Sequence, residues 1–241
     1  FYFILIVFWI DTHPNILFLP FDILMETFSE NYWTGWPYNL VNGNYYFSHE
    51  IPKSYLLINF LYKSPEYILF SYFFFIILII KFKNFYEKEF KFFNYKISMI
   101  FLILVFPNLI LFVIPYPIYD GMRLFIWILP YLCIIPGLTI YYLIKNIKYT
   151  IPKIALFFLS IFSAYFLLNF FLITPYQYTY LNLLNGKIEN RYKKFENDYW
   201  GSSIKELIKS ADFNKNKTIK ITDCGINSKI AKKYFRKKGY I

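Results

Sequence analysis

The chain alternates between long apolar runs and short polar intervals. Four runs contain no charged residue and approach the roughly 20 residues that a helix needs to cross a bilayer. They cover residues 67–80, 97–119, 124–144 and 154–173, and a shorter apolar run covers residues 1–10. The first of the four is long enough if it begins at Pro65 and Lys81 snorkels to the membrane surface. The pattern predicts an all-α polytopic membrane protein with four full transmembrane helices and an N-terminal stub.

The charges between these runs predict an orientation, because short cytoplasmic loops collect lysine and arginine. Residues 81–96 carry five lysines and residues 145–153 carry three, which favours the cytoplasm for both loops. The acidic segment 11–53, the turn 115–123 and everything after residue 173 then lie outside. The tail opposes this order, since residues 174–241 contain 15 Lys or Arg against 6 Asp or Glu. Long tails translocate largely regardless of charge, so we give more weight to the short loops.

Two domains follow from this arrangement. Residues 1–173 form a membrane domain with an outer loop over residues 11–65, and residues 174–241 form an extracytoplasmic tail. In the tail we expect a helix after Ser203, a strand over residues 218–222 and a basic helix ending before Gly239, which together make a small α/β unit. In the outer loop, residues 21–28 and 54–62 resemble helices that lie in the membrane interface.

Composition supports the membrane class. Hydrophobic residues make up 57% of the 241 residues and charged residues 17%, against roughly 25% charged in an ordinary globular domain. This balance excludes a disordered chain and disfavours a soluble enzyme. Cys133 and Cys224 are too few for a disulfide framework or a zinc site. The acidic pair in Glu196-Asn197-Asp198 is a weak signal for a divalent ion, and we predict no metal site, no cofactor and no nucleic-acid partner.

The turn Tyr119-Asp120-Gly121-Met122-Arg123 carries the main candidate chemistry. Arg123 is the only arginine before the tail, and its planar guanidinium suits a pair of phosphate oxygens. Ionisable groups at a membrane edge usually pair or meet a charged ligand. Two interpretations therefore stand together: an Asp120–Arg123 ion pair at the membrane surface, and a binding site for a phosphate.

Four stretches of the sequence resemble motifs of one enzyme family. Asn42-Gly43-Asn44-Tyr45-Tyr46 with His49-Glu50-Ile51-Pro52 is similar to "NG-x-YY … ELP", and the turn 119–123 is similar to "YDG-x-RH". Residues 175–182 (PYQYTYLN) resemble "PYQY-x-Y-x-N", and residues 196–201 (ENDYWG) resemble "E-x-DYWG". These motifs belong to bacterial GT-C-fold membrane glycosyltransferases, the group related to dolichyl-phosphate-mannose protein mannosyltransferases and to the RgtA/B/C/D-like enzymes. Leu124 and Lys53 depart from the pattern, which has His and an aromatic residue at those positions.

The resemblance implies the C-terminal part of an inverting glycosyltransferase in the bacterial inner membrane, with the tail in the periplasm. Its donor would be a sugar on a polyprenyl phosphate, and its acceptor an envelope glycan, lipid or protein. The family's catalytic acidic residue is expected upstream of Phe1, so the catalytic residue stays unknown here. The substrate-binding residues implied are Arg123 at the leaving phosphate, Asp120 orienting it, Glu50 and His49 lining the cavity, and Asp198, Tyr199 and Trp200 shaping the acceptor side or fastening the tail.

Two other classes compete with the enzyme. A non-catalytic scaffold or accessory protein would bind polyprenyl-linked lipid without chemistry. A transporter should carry ionisable groups near the middle of the membrane, and the four full runs carry none.

Overall fold

The computed structural model describes residues 38–48, 50–113, 118, 120–196, 201, 203–211 and 228–239, together with positions 18, 21 and 25. Most of these residues are helical. The helices are α1 (Tyr55–Lys63), α2 (Glu66–Lys81), α3 (Lys83–Glu89), α4 (Phe93–Val113), α5 (Leu129–Lys145), α6 (Thr150–Leu172), α7 (Ile188–Arg191), α8 (Ile204–Ser210) and α9 (Ser228–Lys237). Three 3₁₀ segments cover Arg123–Ile128, Gln177–Thr179 and Leu183–Asn185, and two strands form a hairpin, β1 (Tyr38–Val41) and β2 (Asn44–Phe47).

Three helical stretches are long and apolar enough to cross a membrane. They are Phe93–Val113, Arg123–Lys145 and Thr150–Leu172, and they correspond to three of the four predicted runs. At most 22% of the 18-residue apolar window of each of these spans is buried inside the chain, so most of their side chains lie on the outside of the described fold. The chain is therefore a membrane protein, as predicted from the apolar runs.

The fourth predicted run forms a shorter helix. Helix α2 has 16 residues, which at 1.5 Å per residue extend about 24 Å, less than the roughly 30 Å of a hydrocarbon core. The preceding helix α1 meets it at an angle of 113°. Ser64 between them is extended, as residues before a proline usually are. Only the two helices taken together would be long enough, so the count of four spans stays a prediction.

Helix α2 packs against α5 and α6, and α5 also contacts α4. Polar side chains join these helices inside the bundle: the Thr139 hydroxyl donates to the Ser71 carbonyl at 2.9 Å, and the Tyr72 hydroxyl donates to the Leu132 carbonyl at 2.8 Å. Pro107 lies inside α4 and Pro136 inside α5. The buried core of this part includes Phe75, Leu78, Tyr86, Phe93, Ile135 and Leu143.

The hairpin corrects the all-α expectation for the membrane part of the chain. Tyr38 pairs with Phe47 and Val41 with Asn44 in an antiparallel register. Asn42 and Gly43 form the two-residue turn with φ values of 48° and 90°, and positive φ at both positions is what a type I′ hairpin turn requires. Residues 42–46 thus form a structural turn in addition to their resemblance to a family motif.

In the tail, the two predicted helices are present as α8 and α9, which contact each other. The Lys238 ammonium donates to the carbonyls of Ile208 at 3.0 Å and Lys209 at 2.8 Å at the end of α8. The predicted strand 218–222, the stub 1–10 and most of the predicted helix 21–28 lie outside the described residues.

Candidate functional site at the Asp120 turn

Four segments that are distant in sequence meet at one end of the helices, which we call the Asp120 end. They are the hairpin, α1, residues 118–123 and residues 177–196. The hairpin fixes the approach to the turn, because the Asn39 amide donates to the Ser48 hydroxyl at 2.9 Å and to the Ile118 carbonyl at 3.1 Å. The Ile118 N–H donates in return to the Ser48 carbonyl at 3.3 Å. The backbone just before Asp120 is therefore held by hydrogen bonds to the hairpin.

The turn itself adopts an unusual backbone conformation. Asp120 and Gly121 both have positive φ, 56° and 66°, and the Gly121 N–H donates to the Tyr55 hydroxyl at 2.8 Å. A Cβ at position 121 would lie 3.1 Å from the Lys63 ammonium nitrogen and 3.4 Å from Asn59 Oδ1. Glycine therefore serves two needs here, the left-handed backbone and the close approach of α1.

Charged groups surround this turn. Arg123 Nη1 lies 3.5 Å from Asp120 Oδ2, and both side chains are partly exposed. On the other side, Lys63 Nζ lies 5.3 Å from the centre of the Phe195 ring. Asp120 and Glu196 are both close enough to act on Lys63 electrostatically. Two basic side chains, Lys63 and Arg123, thus lie close to the turn together with the carboxyl groups of Asp120 and Glu196.

Burial perturbs two of these groups. It lowers the pKa of Lys63, and the carboxylates of Asp120 and Glu196 oppose that shift. Burial also raises the pKa of Glu196 to about 7, a shift that Lys63 opposes and Asp120 increases. A carboxyl group with a pKa near neutrality can gain or lose a proton under ordinary conditions, and such groups are enriched at functional sites.

Glu196 reaches this position because the chain after α6 returns to the corner between α1 and α2. We call residues 180–196 the tail strap. The buried Asn182 amide donates to the carbonyls of Leu61 at 2.6 Å and Ser64 at 2.8 Å. The buried Glu66 accepts from the Leu183 N–H at 2.9 Å and from the Tyr180 hydroxyl.

The end of the strap also contacts the hairpin. The Gly43 N–H donates to the Lys194 carbonyl at 2.9 Å, and Phe195 forms a bridge with Val41. Phe195, Val41 and Tyr55 belong to one buried apolar cluster. The strap is therefore attached at both of its ends, and this fixes the backbone at Glu196.

Of the predicted site residues, Asp120 and Arg123 form the expected ion pair. Glu50 is exposed just after β2, and its N–H donates to the Phe47 carbonyl. His49, Asp198, Tyr199 and Trp200 lie outside the described residues. Among the residues that are described, no group of three or more His, Cys, Asp or Glu side chains could hold a metal ion.

Lys63 and Tyr55 are not among the predicted site residues, and Glu196 is predicted only as part of a weak metal triplet and as the first residue of the E-x-DYWG-like stretch. The signal for Lys63 was its place at the end of an amphipathic helix, next to a Ser-Pro break. That place indicates a charge at the membrane edge, but nothing local connects it to Asp120 or to Glu196, which is 133 positions away.

Comparison of the chain with protein-family models, with curated proteins and with solved structures gives no match. The residues at the Asp120 end and the motifs that resemble a known family are therefore the features that bear on function.

Proposed function

We propose that the chain is part of a GT-C-like membrane glycosyltransferase that moves a sugar from a polyprenyl-phosphate donor to an acceptor on the outer face. The observation that carries this proposal is the pair of cations at the Asp120 turn. Lys63 approaches the turn at Gly121, and Arg123 approaches it at Asp120. Two cations at the end of apolar helices suit a ligand that has an anionic head and a hydrocarbon tail, which is the chemistry of a polyprenyl phosphate.

The convergence of three of the four motif stretches supports the same proposal. The Asn42-Gly43 turn touches the strap at Lys194, and the Asp120 turn touches α1 at Tyr55. The PYQY-like stretch ends at Asn182, which binds the end of α1. Segments that are far apart in sequence thus contribute to one region of the molecule, as the residues of a single site must.

The proposed reaction assigns a role to each charge. An acceptor hydroxyl attacks the anomeric carbon, the bond from that carbon to the phosphate oxygen breaks, and the polyprenyl phosphate leaves with both bonding electrons. The hydroxyl proton passes to a carboxylate that acts as the general base, and the family has this residue in its first outer loop. Lys63 and Arg123 stabilise the charge that develops on the leaving phosphate, and Asp120 orients Arg123.

The test is a transfer assay on the full-length protein in membranes, with the total polyprenyl-phosphate-sugar fraction as donor. Arg123→Ala and Lys63→Met should each reduce the release of polyprenyl phosphate by on the order of 100-fold, the usual cost of a lost charge-stabilising contact. Arg123→Lys should retain part of the activity, because it keeps the charge and loses the planar fork. Lys187→Gln, an exposed change at the same end, is the matched control.

If the Arg123→Ala and Lys63→Met proteins both release polyprenyl phosphate at the wild-type rate, with unchanged thermal stability, the proposal is contradicted. A second measurement separates the enzyme from an accessory protein. If the full-length wild-type protein binds polyprenyl phosphate and no sugar is transferred, the lipid-binding accessory function replaces the enzymatic one.

A further inference from the structure

A second site lies at the opposite end of the bundle, which we call the lysine-rich end (residues 81–96 and 145–153). A cavity of about 570 Å³ opens there between α2, α3 and the connection from α5 to α6. This volume falls within the roughly 300–1,000 Å³ of typical small-molecule pockets. The cavity shares no residue with the Asp120 end.

The lining of the cavity changes from apolar to polar toward the loops. Phe74, Leu78 and Phe82 line it from α2 and the residue after it, spaced four apart so that they share one face of the helix. Asn146 and Tyr149 line it at the connection between α5 and α6, beside Ile151 at the start of α6. A hydrocarbon chain fits the first part, and a polar headgroup fits the second.

The charge around the cavity is strongly positive. The lysine-rich end contains eight lysines and two glutamates, a net charge of +6. Glu87 pairs with Lys83 at 3.3 Å, and Glu89 lies 3.8 Å from Lys145. Both glutamates are thus already engaged, which leaves the excess positive charge on the other lysines.

Three of those lysines adjoin lining residues in the chain. Lys81, Lys148 and Lys153 form no ion pair with any residue that the structure describes. Lys148 lies beside a residue that lines the cavity, because its Nζ is 5.1 Å from the centre of the Tyr149 ring. Helix α6 begins at Thr150, and the first N–H groups of a helix also favour a negative group.

We infer that this cavity is a binding site for an anionic phospholipid, with an acyl chain along α2 and the phosphate headgroup near Lys148 and the start of α6. Basic pockets between membrane helices bind anionic lipid headgroups by this combination of an apolar groove and lysines. A zwitterionic lipid offers the same chain and no net charge, so the lysines should discriminate between the two. The inference is independent of the proposed transferase activity.

The experiment is a titration of the delipidated full chain in detergent, followed by native mass spectrometry. Phosphatidylglycerol and phosphatidylcholine with identical acyl chains are the two probes. The wild-type protein should bind phosphatidylglycerol on the order of tenfold more tightly. Lys148→Gln should reduce this preference by about fivefold, the effect of one lysine at a lipid surface. Lys91→Gln is the matched control, because Lys91 belongs to the same lysine-rich end and its Nζ lies over the ring of Phe92, which does not line the cavity.

A second variant tests the cavity itself. Ile151 is exposed, so Ile151→Trp adds bulk to the cavity wall without disturbing the core and should weaken binding of both lipids. Equal affinity of the wild type for the two lipids would overturn the inference of an anionic ligand. Unchanged binding by the Ile151→Trp protein would overturn the location. If a second copy of the chain displaces the bound lipid, the cavity is occupied by a protein partner and the inference is wrong.

Discussion

Replacement of Asn182 by alanine should detach the tail strap from the corner between α1 and α2. The Asn182 side chain is fully buried. Its amide donates to the carbonyls of Leu61 and Ser64, and its Oδ1 accepts from the Leu184 N–H at 3.1 Å. Alanine removes both the side-chain donor and the side-chain acceptor, and this leaves the Leu61 and Ser64 carbonyls and the Leu184 N–H without these partners. At roughly 0.5–1.5 kcal/mol for each net hydrogen bond, the docked strap should lose about 3 kcal/mol.

A loss of this size changes the ratio of docked to detached strap by on the order of 100-fold. Limited trypsin digestion in detergent measures that ratio, since the strap contains exposed sites at Lys187 and Lys193. When opening is fast relative to cleavage, the cleavage rate follows the open population. The Asn182→Ala protein should therefore be cut on the order of 100-fold faster at these sites, with little change in cleavage within residues 81–96.

The control is Asn190→Ala, an exposed change in the same strap. Equal cleavage rates for the two variants would refute the reasoning. Faster cleavage of the Asn182→Ala protein at every site would also refute it, because the whole bundle would then have lost stability.

Burial, backbone conformation and a hydrogen bond elsewhere in the fold give three further predictions. Burial raises the pKa of Glu196 from 4.5 to about 7. The cost of burying the ionised carboxylate is therefore absent at low pH, and it destabilises the fold progressively as pH rises through that interval. Relative to the wild type, Glu196→Gln should therefore increase the free energy of unfolding by about 1–2 kcal/mol more at pH 8 than at pH 5, after allowance for solvent screening of a partly exposed group. Identical pH profiles of thermal unfolding for the two proteins would contradict this. Gly121→Ala should lower the free energy of unfolding by about 1–2 kcal/mol, because the backbone at this position is left-handed, and it should displace Lys63. The Gly121→Ala protein should therefore have a lower unfolding midpoint, and the Met122→Ala control should not. Thr139→Val should cost about 1 kcal/mol by removing its bond to the Ser71 carbonyl, and an unchanged midpoint in chemical denaturation would exclude that contribution.

The helices of the bundle were predictable because a bilayer-crossing segment shows itself by length and lack of charge. Their ends were less predictable. The second run is predicted to begin at residue 97, whereas α4 begins at Phe93, since a helix continues past a lysine once the chain has left the hydrocarbon. The run is also predicted to reach residue 119, and of its last six residues all but Ile118 lie outside the described residues.

The site was predictable only where its contacts are local. Asp120 and Arg123 are three residues apart, so their pairing follows from one short turn. The hairpin had a local signal as well, the Asn42-Gly43 pair, which was interpreted only as a motif. The approach of Lys63 to Glu196 depends on how α1, the Asp120 turn and the strap pack together, and no periodicity in the sequence encodes that packing.

The strap also sets the order in which the protein can be completed during synthesis. The carbonyls of Leu61 and Ser64 and the carboxylate of Glu66 accept hydrogen bonds from residues that follow 114–121 positions later in the chain. At a synthesis rate of about 5–20 residues per second, these groups remain without those partners for on the order of 10 s after they leave the ribosome. During that interval water must solvate them, so the corner has to stay at the membrane surface while α4, α5 and α6 are inserted. A chain that stops at the end of α6 contains all three long helices and the Asp120–Arg123 pair, and it still lacks the Glu196 carboxyl group that acts on Lys63.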